Sequence, residues 1–223
     1  MVECLAGEAG VPVVKLKNFR DKWVGSTEGN LEKIFRLLQA LGRCYGFIDE
    51  ADQAIGRRDS GGSDSGISGR IYSMLAEEMG SSTSRGKLIW ILASSRPDLI
   101  EVDLKRPGRV DVKIPLFPTT DARESFDLLR MLCRRRQVPL GEAEFDAVRE
   151  AMPLLLTPGA AETLVVKIYR IVRTESKSPL DALRSALVDY QNPVPLETLQ
   201  AQITLAVREA SDLEFVPSQF RIK

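Results

Sequence analysis

The sequence predicts an α/β fold: a parallel sheet with helices on both faces over residues 1–118, then a small all-helical domain over residues 119–223. Up to Pro118, short apolar runs alternate with segments that carry apolar residues at helical spacing, which is typical of parallel βαβ units. After Pro118 the spacing is helical throughout, and Pro, Gly or Asn separates successive segments. The predicted domain boundary and hinge therefore lie near residue 118.

The first domain is expected to alternate strands and helices. The predicted strands are Val11–Leu16, Cys44–Ile48, Leu88–Ala93 and Val110–Leu116. The predicted helices are Met1–Gly10, Thr27–Leu41 and Ser68–Met79. Apolar residues follow one face of the second helix, and the hydroxyl side chains at its start suit a helix cap. Arg57–Gly69, rich in Ser, Gly and Asp, is predicted to be a mobile loop.

The second domain is predicted to contain helices alone, separated by residues that end helices. The predicted helices are Ala122–Arg136, Glu142–Met152, Gly159–Thr174, Leu180–Tyr190 and Leu196–Ala210. No internal repeat is visible in either domain.

Composition excludes several classes of protein. Lys plus Arg and Asp plus Glu number 31 each, so no net charge favours nucleic acid or an anionic membrane. The apolar runs are too short to span a bilayer, and the start has no signal-like segment. There is no histidine, which excludes His-based catalytic triads and His-ligated metals. Cys4, Cys44 and Cys133 are predicted to be reduced core thiols of a cytoplasmic protein.

An acidic pair follows the predicted strand Cys44–Ile48. Asp49 and Glu50 would lie at the edge where open α/β sheets bind ligands. Asp49 can hold Mg²⁺, directly or through water, because this ion prefers hard oxygen ligands. Glu50 can orient and polarise an attacking water. Taken alone, the pair is better explained as a strand end with solvated acids, so a hydrolytic site needs support from other segments.

Two later segments carry groups that suit a phosphate site. Ser94 and Ser95 follow the next predicted strand, where a hydroxyl can hydrogen-bond a water or a γ-phosphate. Arg106 and Arg109 flank a Pro-Gly turn, and their planar, permanently charged guanidinium groups suit phosphate. Each segment alone has a simpler interpretation: a Ser-rich turn in the first case and a solvated basic turn in the second.

Two further segments suggest contact residues. Trp23, between Lys22 and Val24, lies in a polar loop that ends in glycine, so it is either a core anchor or an exposed contact residue. Gly159 and Ala160 open a predicted helix with small residues, which permits close packing or the approach of a ligand. Taken alone, the second segment is better explained as a plain helix start.

In this order and spacing, the motifs resemble those of the AAA+ ATPases, specifically the family with the second region of homology. They are a Lys-aromatic-Val-Gly loop, an apolar strand ending in Asp-Glu-Ala-Asp, an Ala-x-x-Arg-Pro-Asp strand end, Arg-Pro-Gly-Arg-x-Asp and a Gly-Ala-x-Glu helix. Each motif is weak alone, but together they are specific over roughly residues 1–190. The resemblance implies a P-loop NTPase-type sheet of strand order 5-1-4-3-2, a helical lid, and ATP and Mg²⁺ as cofactors.

The resemblance also implies roles at the predicted catalytic edge. Asp49 matches the Walker B magnesium ligand and Glu50 the catalytic glutamate. Ser95 matches the sensor 1 position. Arg106 and Arg109 match arginine fingers, which reach the γ-phosphate held by the neighbouring subunit. Fingers that act across a boundary require a head-to-tail ring, so the implied partner is the chain itself, in a homo-oligomeric ring of hexamer type.

Further roles implied by the resemblance concern the substrate and the lid. Lys22, Trp23 and Val24 match the first pore loop, which grips an extended polypeptide, so a protein substrate is implied. Gly159 and Ala160 match the sensor 2 region, which lies near the adenine. Neither a specific nucleic acid nor a membrane span is implied.

The sequence departs from the family pattern in two places. Sensor 1 is usually Asn, and Ser95 offers a shorter hydroxyl instead. No Gly-x-x-x-x-Gly-Lys-[Ser/Thr] occurs, so no loop of that kind can cradle the phosphates. Met1–Gly10 resembles the helix that follows this loop, which suggests a fragment beginning just after it and inactive alone. Without the strand that precedes this loop, we expect beside Leu88–Ala93 a gap, a swapped strand from another molecule or a displaced last strand. The resemblance also implies that Arg57–Gly69 covers the second pore-loop region.

Three classes of function follow from these observations. The first is a ring-forming ATPase module that remodels or threads proteins. The second is a nucleotide-dead AAA+ scaffold or regulatory domain, and the third is an interaction domain without nucleotide chemistry. The joint presence of Asp49, Glu50, Arg106 and Arg109 favours the first class.

Overall fold

Three parallel strands form the sheet of this protein, in the order β1 (Val13–Lys15), β2 (Cys44–Ile48) and β3 (Leu88–Leu92). The structure is a computed structural model that describes residues 1–16, 26–55 and 65–221. The parallel sheet and its helices confirm the predicted α/β class. The implied order 5-1-4-3-2 includes a first strand that comes before β1 in sequence. With that strand counted, β1, β2 and β3 correspond to strands 2, 3 and 4, which are neighbours in the implied order.

Helices cover the buried face of the sheet. The helices of this part of the chain are α1 (Val2–Ala9), α2 (Ser26–Leu41), α3 (Ala51–Ile55) and α4 (Ser65–Gly80). Along β2, burial alternates, with Cys44, Gly46 and Ile48 buried and the residues between them half-buried. The side chains on the buried face of β2 pack with apolar residues of α2 and α4 in one core. This alternation is the strand period of two, and it leaves the other face of β2 less covered.

Gly46 of β2 packs against the indole ring of Trp90 in β3. A Cβ atom at Gly46 would lie 2.9 Å from two ring carbons of Trp90. The ring also meets Phe35 of α2 edge-on, with centroids 6.3 Å apart. The missing side chain at Gly46 therefore makes room for a large one on the neighbouring strand.

The prediction of a strand at Val110–Leu116 is wrong. The structure shows this segment outside any strand, with Val112, Ile114 and Leu116 exposed by 58, 61 and 70%. A strand needs a partner for its backbone groups, and among the described residues β3 pairs with β2 alone. Among the described residues no strand pairs with the other edge of β3, which corresponds to the gap among the three arrangements expected there.

The chain divides into two compact units, Met1–Lys113 and Ile114–Lys223. The second unit contains α5 (Ala122–Arg135), α6 (Pro158–Glu175), α7 (Pro179–Leu187) and α8 (Leu196–Glu209). Its core contains buried apolar residues of α5, α6 and α7. The predicted boundary at residue 118 remains a prediction.

The predicted helix Glu142–Met152 is also wrong, because the structure has two short 3₁₀ turns there, Glu142–Glu144 and Arg149–Ala151. Phe145, Val148 and Met152 are all buried in the core of the second unit. Their spacing gave the helical signal, but separate turns bury the same side chains.

Two smaller expectations need correction. The predicted loop Arg57–Gly69 ends earlier than expected, because α4 begins at Ser65, while residues 57–64 fall outside the described part. Cys44 and Cys133 are buried as predicted, but Cys4 is exposed, because α1 buries Val2 and Ala6 instead. Burial raises the pKa of Cys133 to about 11.

Among the described residues, no helix combines the length and apolar character needed to cross a membrane.

Candidate functional site

The carboxyl ends of the three strands bring polar residues to one edge of the sheet. Lys15 ends β1, Asp49 follows β2 directly, and Ser94 lies two residues beyond β3. Parallel strands end at the same edge, which is where open α/β sheets bind ligands. The main chain ties the segments after β2 and β3 together, because the N–H of Ala51 donates to the carbonyl of Ala93 at 2.8 Å.

Both carboxylate oxygens of Asp49 accept hydrogen bonds. The Lys15 Nζ donates to Oδ2 at 2.6 Å, and the backbone N–H of Glu50 donates to Oδ1 at 3.2 Å. The hydrogen bond from Lys15 lowers the pKa of Asp49 below its ordinary value. The Lys15 and Asp49 side chains are 37% and 49% exposed, so solvent screens the pair and its contribution to stability is at most about 1 kcal/mol.

Glu50 combines an exposed carboxylate with an unusual backbone. Its φ angle is 49°, in the left-handed region that costs a residue with a Cβ roughly 1–2 kcal/mol. Its carbonyl accepts the N–H groups of Gln53 and Ala54 at the start of α3, so the helix holds this conformation in place. Such strained residues are concentrated at functional sites, which motivates a functional hypothesis for Glu50.

Ser94, rather than its neighbour Ser95, contacts the acidic segment. The Ser94 Oγ donates to Asp52 Oδ1 at 2.5 Å and accepts the N–H of Arg96 at 3.0 Å. The side chain of Ser95, the predicted sensor, is exposed. Its assignment as sensor 1 remains a prediction, and the hydrogen bonds of Ser94 fix the backbone beside it.

Arg106 and Arg109 both contact Asp103 within their own segment. The Arg106 guanidinium is 69% exposed and pairs with the Asp103 carboxylate at 3.0 Å. Arg109 is less exposed, and its Nη1 donates to the Asp103 carbonyl at 3.0 Å. Gly108 between them has a φ of 89°, which a residue with a side chain would adopt only under strain. The turn thus presents one arginine outward and anchors the other.

The predicted sensor 2 residues lie at the start of α6 in the second unit. The Thr157 side chain caps this helix by accepting the N–H of Ala160 at 3.3 Å. Gly159 is exposed, and a Cβ there would meet nothing within 4 Å. Ala160 is buried and lines a cavity of about 290 Å³ together with Lys167 and Tyr190. Of the two predicted residues, the structure brings Ala160 to a cavity of its own unit.

The predicted pore-loop residues lie outside the described part of the chain. Lys22, Trp23 and Val24 fall in residues 17–25, and the second pore-loop region falls largely in residues 57–64. Their assignment remains a prediction from sequence.

The donor set at the sheet edge suits Mg²⁺ held mainly by water and phosphate. Among the described residues, no group of three or more His, Cys, Asp or Glu side chains could enclose a metal. Mg²⁺ usually keeps several waters and needs only one or two protein carboxylates beside the phosphates of a nucleotide. Asp49 offers such a carboxylate, so the residues present fit this ion and do not fit a closed metal cage.

Lys15 and Asp52 were not among the predicted site residues. Lys15 is the last residue of β1 and the last but one of the predicted strand Val11–Leu16, and the strand-end argument that identified Asp49 applies to it equally. Asp52 stands three residues beyond Asp49, and its contact with Ser94 spans 42 positions. Both contacts depend on the order of strands in the sheet, which pattern alone does not provide.

Comparison with known proteins identifies a family that the part of the chain containing this edge resembles. The sequence profile of the ATPase family associated with various cellular activities (AAA) matches residues 1–117, which is about half of the chain. The match covers β1, β2, β3 and the arginine-containing turn.

Individual relatives align over more of the chain. The peroxisomal ATPase PEX6 of Candida glabrata is 30% identical over 145 residues, covering 65% of this chain and 14% of that protein. The ATP-dependent zinc metalloprotease FtsH of Myxococcus xanthus is 30% identical over 186 residues, covering 81% and 28%. The protein SAV of Sulfolobus acidocaldarius is 31% identical over 144 residues, covering 64% and 18%. The alignments span less than a third of the length of each of these relatives.

Proposed function

The chain belongs to the ATPase family associated with various cellular activities, and from this premise we propose that it is the ATP-hydrolysing module of a ring that remodels or threads a protein substrate. The observation that carries the proposal is the acidic pair Asp49–Glu50 at the carboxyl end of the central strand, beside Lys15 and Ser94. The whole activity further requires a phosphate-binding loop, for which the sequence has no motif. We therefore expect negligible hydrolysis by this chain alone.

Asp49 and Glu50 would divide the work at this edge. Asp49 would hold Mg²⁺, which neutralises charge on the phosphates when bound. Glu50 would take a proton from the attacking water, and its exposed carboxylate is accessible for this role. Ser95 would orient the same water, with the neighbouring Ser94 holding the backbone in place.

The turn that carries the two arginines would face the nucleotide of a neighbouring subunit in a ring, taken to be a homohexamer. The outward position of the Arg106 guanidinium supports direct contact with that nucleotide. Arg109, anchored to the Asp103 carbonyl, would instead position the turn. This division refines the sequence prediction, which gave both residues the same role.

The remaining predicted residues would serve substrate and nucleotide. Lys22, Trp23 and Val24 would grip an extended polypeptide in the channel of the ring. Gly159 and Ala160 would approach the adenine of ATP. Both proposals rest on the order and spacing of motifs in the sequence.

The test is Glu50→Gln in a longer form of the protein that supplies a phosphate-binding loop. We expect turnover to fall by roughly 10²-fold or more while nucleotide affinity stays nearly unchanged, because the change removes only the proton acceptor. Glu32→Gln, at an exposed position of α2, is the matched control and should keep full turnover. Unchanged turnover in Glu50→Gln would exclude Glu50 as the catalytic base.

A second candidate function is a regulatory or scaffold domain that does not hydrolyse ATP. Two observations favour it: the sequence has no phosphate-binding motif, and Lys15 already neutralises Asp49. A failure of every longer form of the protein to bind ATP would select this candidate over the first.

A further inference from the structure

Lys15 is a charged residue at the sheet edge to which the proposed hydrolysis gives no role. It ends β1 and is in register with Phe47 of β2. Its Nζ lies 5.0 Å from the centre of the Phe47 ring and 2.6 Å from Asp49 Oδ2. Phe47 and Asp49 therefore hold the ammonium group at two points.

The ammonium group of Lys15 is hydrogen-bonded to the Asp49 carboxylate, which the proposed function assigns to Mg²⁺. The other oxygen of Asp49, Oδ1, accepts the N–H of Glu50 at the longer distance of 3.2 Å, so each oxygen already has one hydrogen-bond donor. Mg²⁺ binds carboxylate oxygens at about 2.0–2.1 Å in near-octahedral geometry. A divalent cation at Oδ2 would meet a like charge in nearly the same place, so the metal and the lysine compete.

We propose that Lys15 is an internal counter-cation of Asp49, occupying the metal side of the carboxylate until a divalent cation displaces it. The inference rests on the proposed function, because it takes Asp49 as the metal ligand. A free ion that displaces the lysine gains only one protein carboxylate as a ligand. A metal–nucleotide complex brings phosphate ligands of its own and a negative charge that can pair with the released ammonium. Lys15 would thereby favour loading of the complex over loading of the bare ion.

A purely positioning role for Lys15 predicts the opposite effect of its removal. If the lysine only held Asp49 in a productive orientation, its loss would loosen the carboxylate and weaken metal binding. If the lysine competes with the metal, its loss strengthens metal binding. The sign of the change in affinity therefore separates the two roles.

The experiment is a titration of the complete 223-residue chain with Mn²⁺ alone at constant ionic strength. Paramagnetic broadening of the backbone amide signals of Glu50 and Ala51 reports binding at Asp49, even when it is weak. We expect Lys15→Met to tighten Mn²⁺ binding by about two- to fivefold, the value of an exposed ion pair. Lys15→Gln should act in the same direction. Lys33→Met, at an exposed lysine of α2, removes the same charge elsewhere and should change the affinity less.

Unchanged or weaker binding in both Lys15 variants would overturn the counter-cation role. Asp49→Asn, tested with and without Lys15→Met, separates this failure from a failure of the proposed function. If Asp49→Asn removes the broadening and Lys15→Met does not tighten binding, only the counter-cation role is wrong. If Asp49→Asn leaves the broadening unchanged in both backgrounds, Asp49 is not the metal ligand and both proposals fall.

Discussion

Gly46 and Trp90 are complementary residues of neighbouring strands, and their fit depends on space rather than on backbone freedom. Gly46 does not adopt a positive φ, so a side chain there would meet no backbone strain. It would instead meet the Trp90 ring, which also contacts Phe35 edge-on. Interiors are close-packed, and a ring held on two sides has little room to yield.

We expect Gly46→Ala to lower the free energy of unfolding by about 1–3 kcal/mol, the usual cost of overpacking. Urea unfolding followed by circular dichroism measures the change. Gly7→Ala is the control, because a Cβ at Gly7 in α1 would meet nothing within 4 Å, and alanine there should be neutral or stabilising. The cost should shrink in a Trp90→Leu background; an equal cost in both backgrounds would mean that the ring is not the obstacle.

At the candidate site, sequence reasoning found the residues that directly follow an apolar strand and missed their partners. Asp49 and Glu50 were recognisable because an acidic pair follows five residues of a buried strand. Lys15 lies 34 positions away from Asp49, and their contact exists only because β1 lies beside β2. Such pairing depends on strand order, which the family resemblance implied but which the spacing of residues along the chain does not contain.

Helices were predicted well at the scale of elements because their ends carry local signals. The structure begins α5 at Ala122, as predicted, and the Asp121 side chain accepts the N–H of Glu124 at 2.8 Å. Val110–Leu116 failed as a strand because strand formation depends on a partner supplied from elsewhere. The prediction of a helix at Glu142–Met152 was wrong because its apolar spacing fits two separate turns equally well. Arg123 and Arg130 of α5 both pair with Glu142, where the first of these turns begins.

The cap of α5 gives a prediction for this element. Asp121→Ala should lower the free energy of unfolding by roughly 1 kcal/mol, because an N–H at the helix start loses its acceptor. Asp121→Ser keeps an oxygen at the capping position and should cost only a few tenths of a kcal/mol. Thermal or urea unfolding of both variants tests this. Equal losses in the two variants would show that the capping bond is not the source of the stability.

At the scale of the whole molecule, the proposed ring makes catalysis depend on two chains. Arg106→Ala in a longer, ATP-hydrolysing form of the protein should lower turnover by about 10³-fold, the scale of an arginine finger. Mixed with Glu50→Gln, it should regain activity, since mixed rings contain some interfaces with both groups intact. Arg36→Ala, at an exposed arginine of α2, is a control that should leave turnover unchanged. Demonstrably mixed rings without recovered activity would argue against action between subunits.

Trp23 gives a second prediction at this scale, since a role in the channel exists only in the assembled ring. As a pore residue it should be dispensable for folding, and Trp23→Ala should keep the free energy of unfolding within about 0.5 kcal/mol of the original. The same change should separate ATP hydrolysis from protein remodelling. A loss of about 3–5 kcal/mol would instead identify Trp23 as a core residue.

The position of Trp90 also makes the first unit optically distinct from the second. The sequence has two tryptophans, Trp23 and Trp90, and both precede Lys113, where the first unit ends. The indole nitrogen of Trp90 is buried and has no hydrogen-bond partner among the described residues, so its emission should be blue-shifted and should move to the red when the sheet opens. Tryptophan fluorescence then follows the first unit alone, while the helical ellipticity follows both. Denaturation curves that coincide in the two signals would reveal one cooperative block, and curves that separate would reveal two.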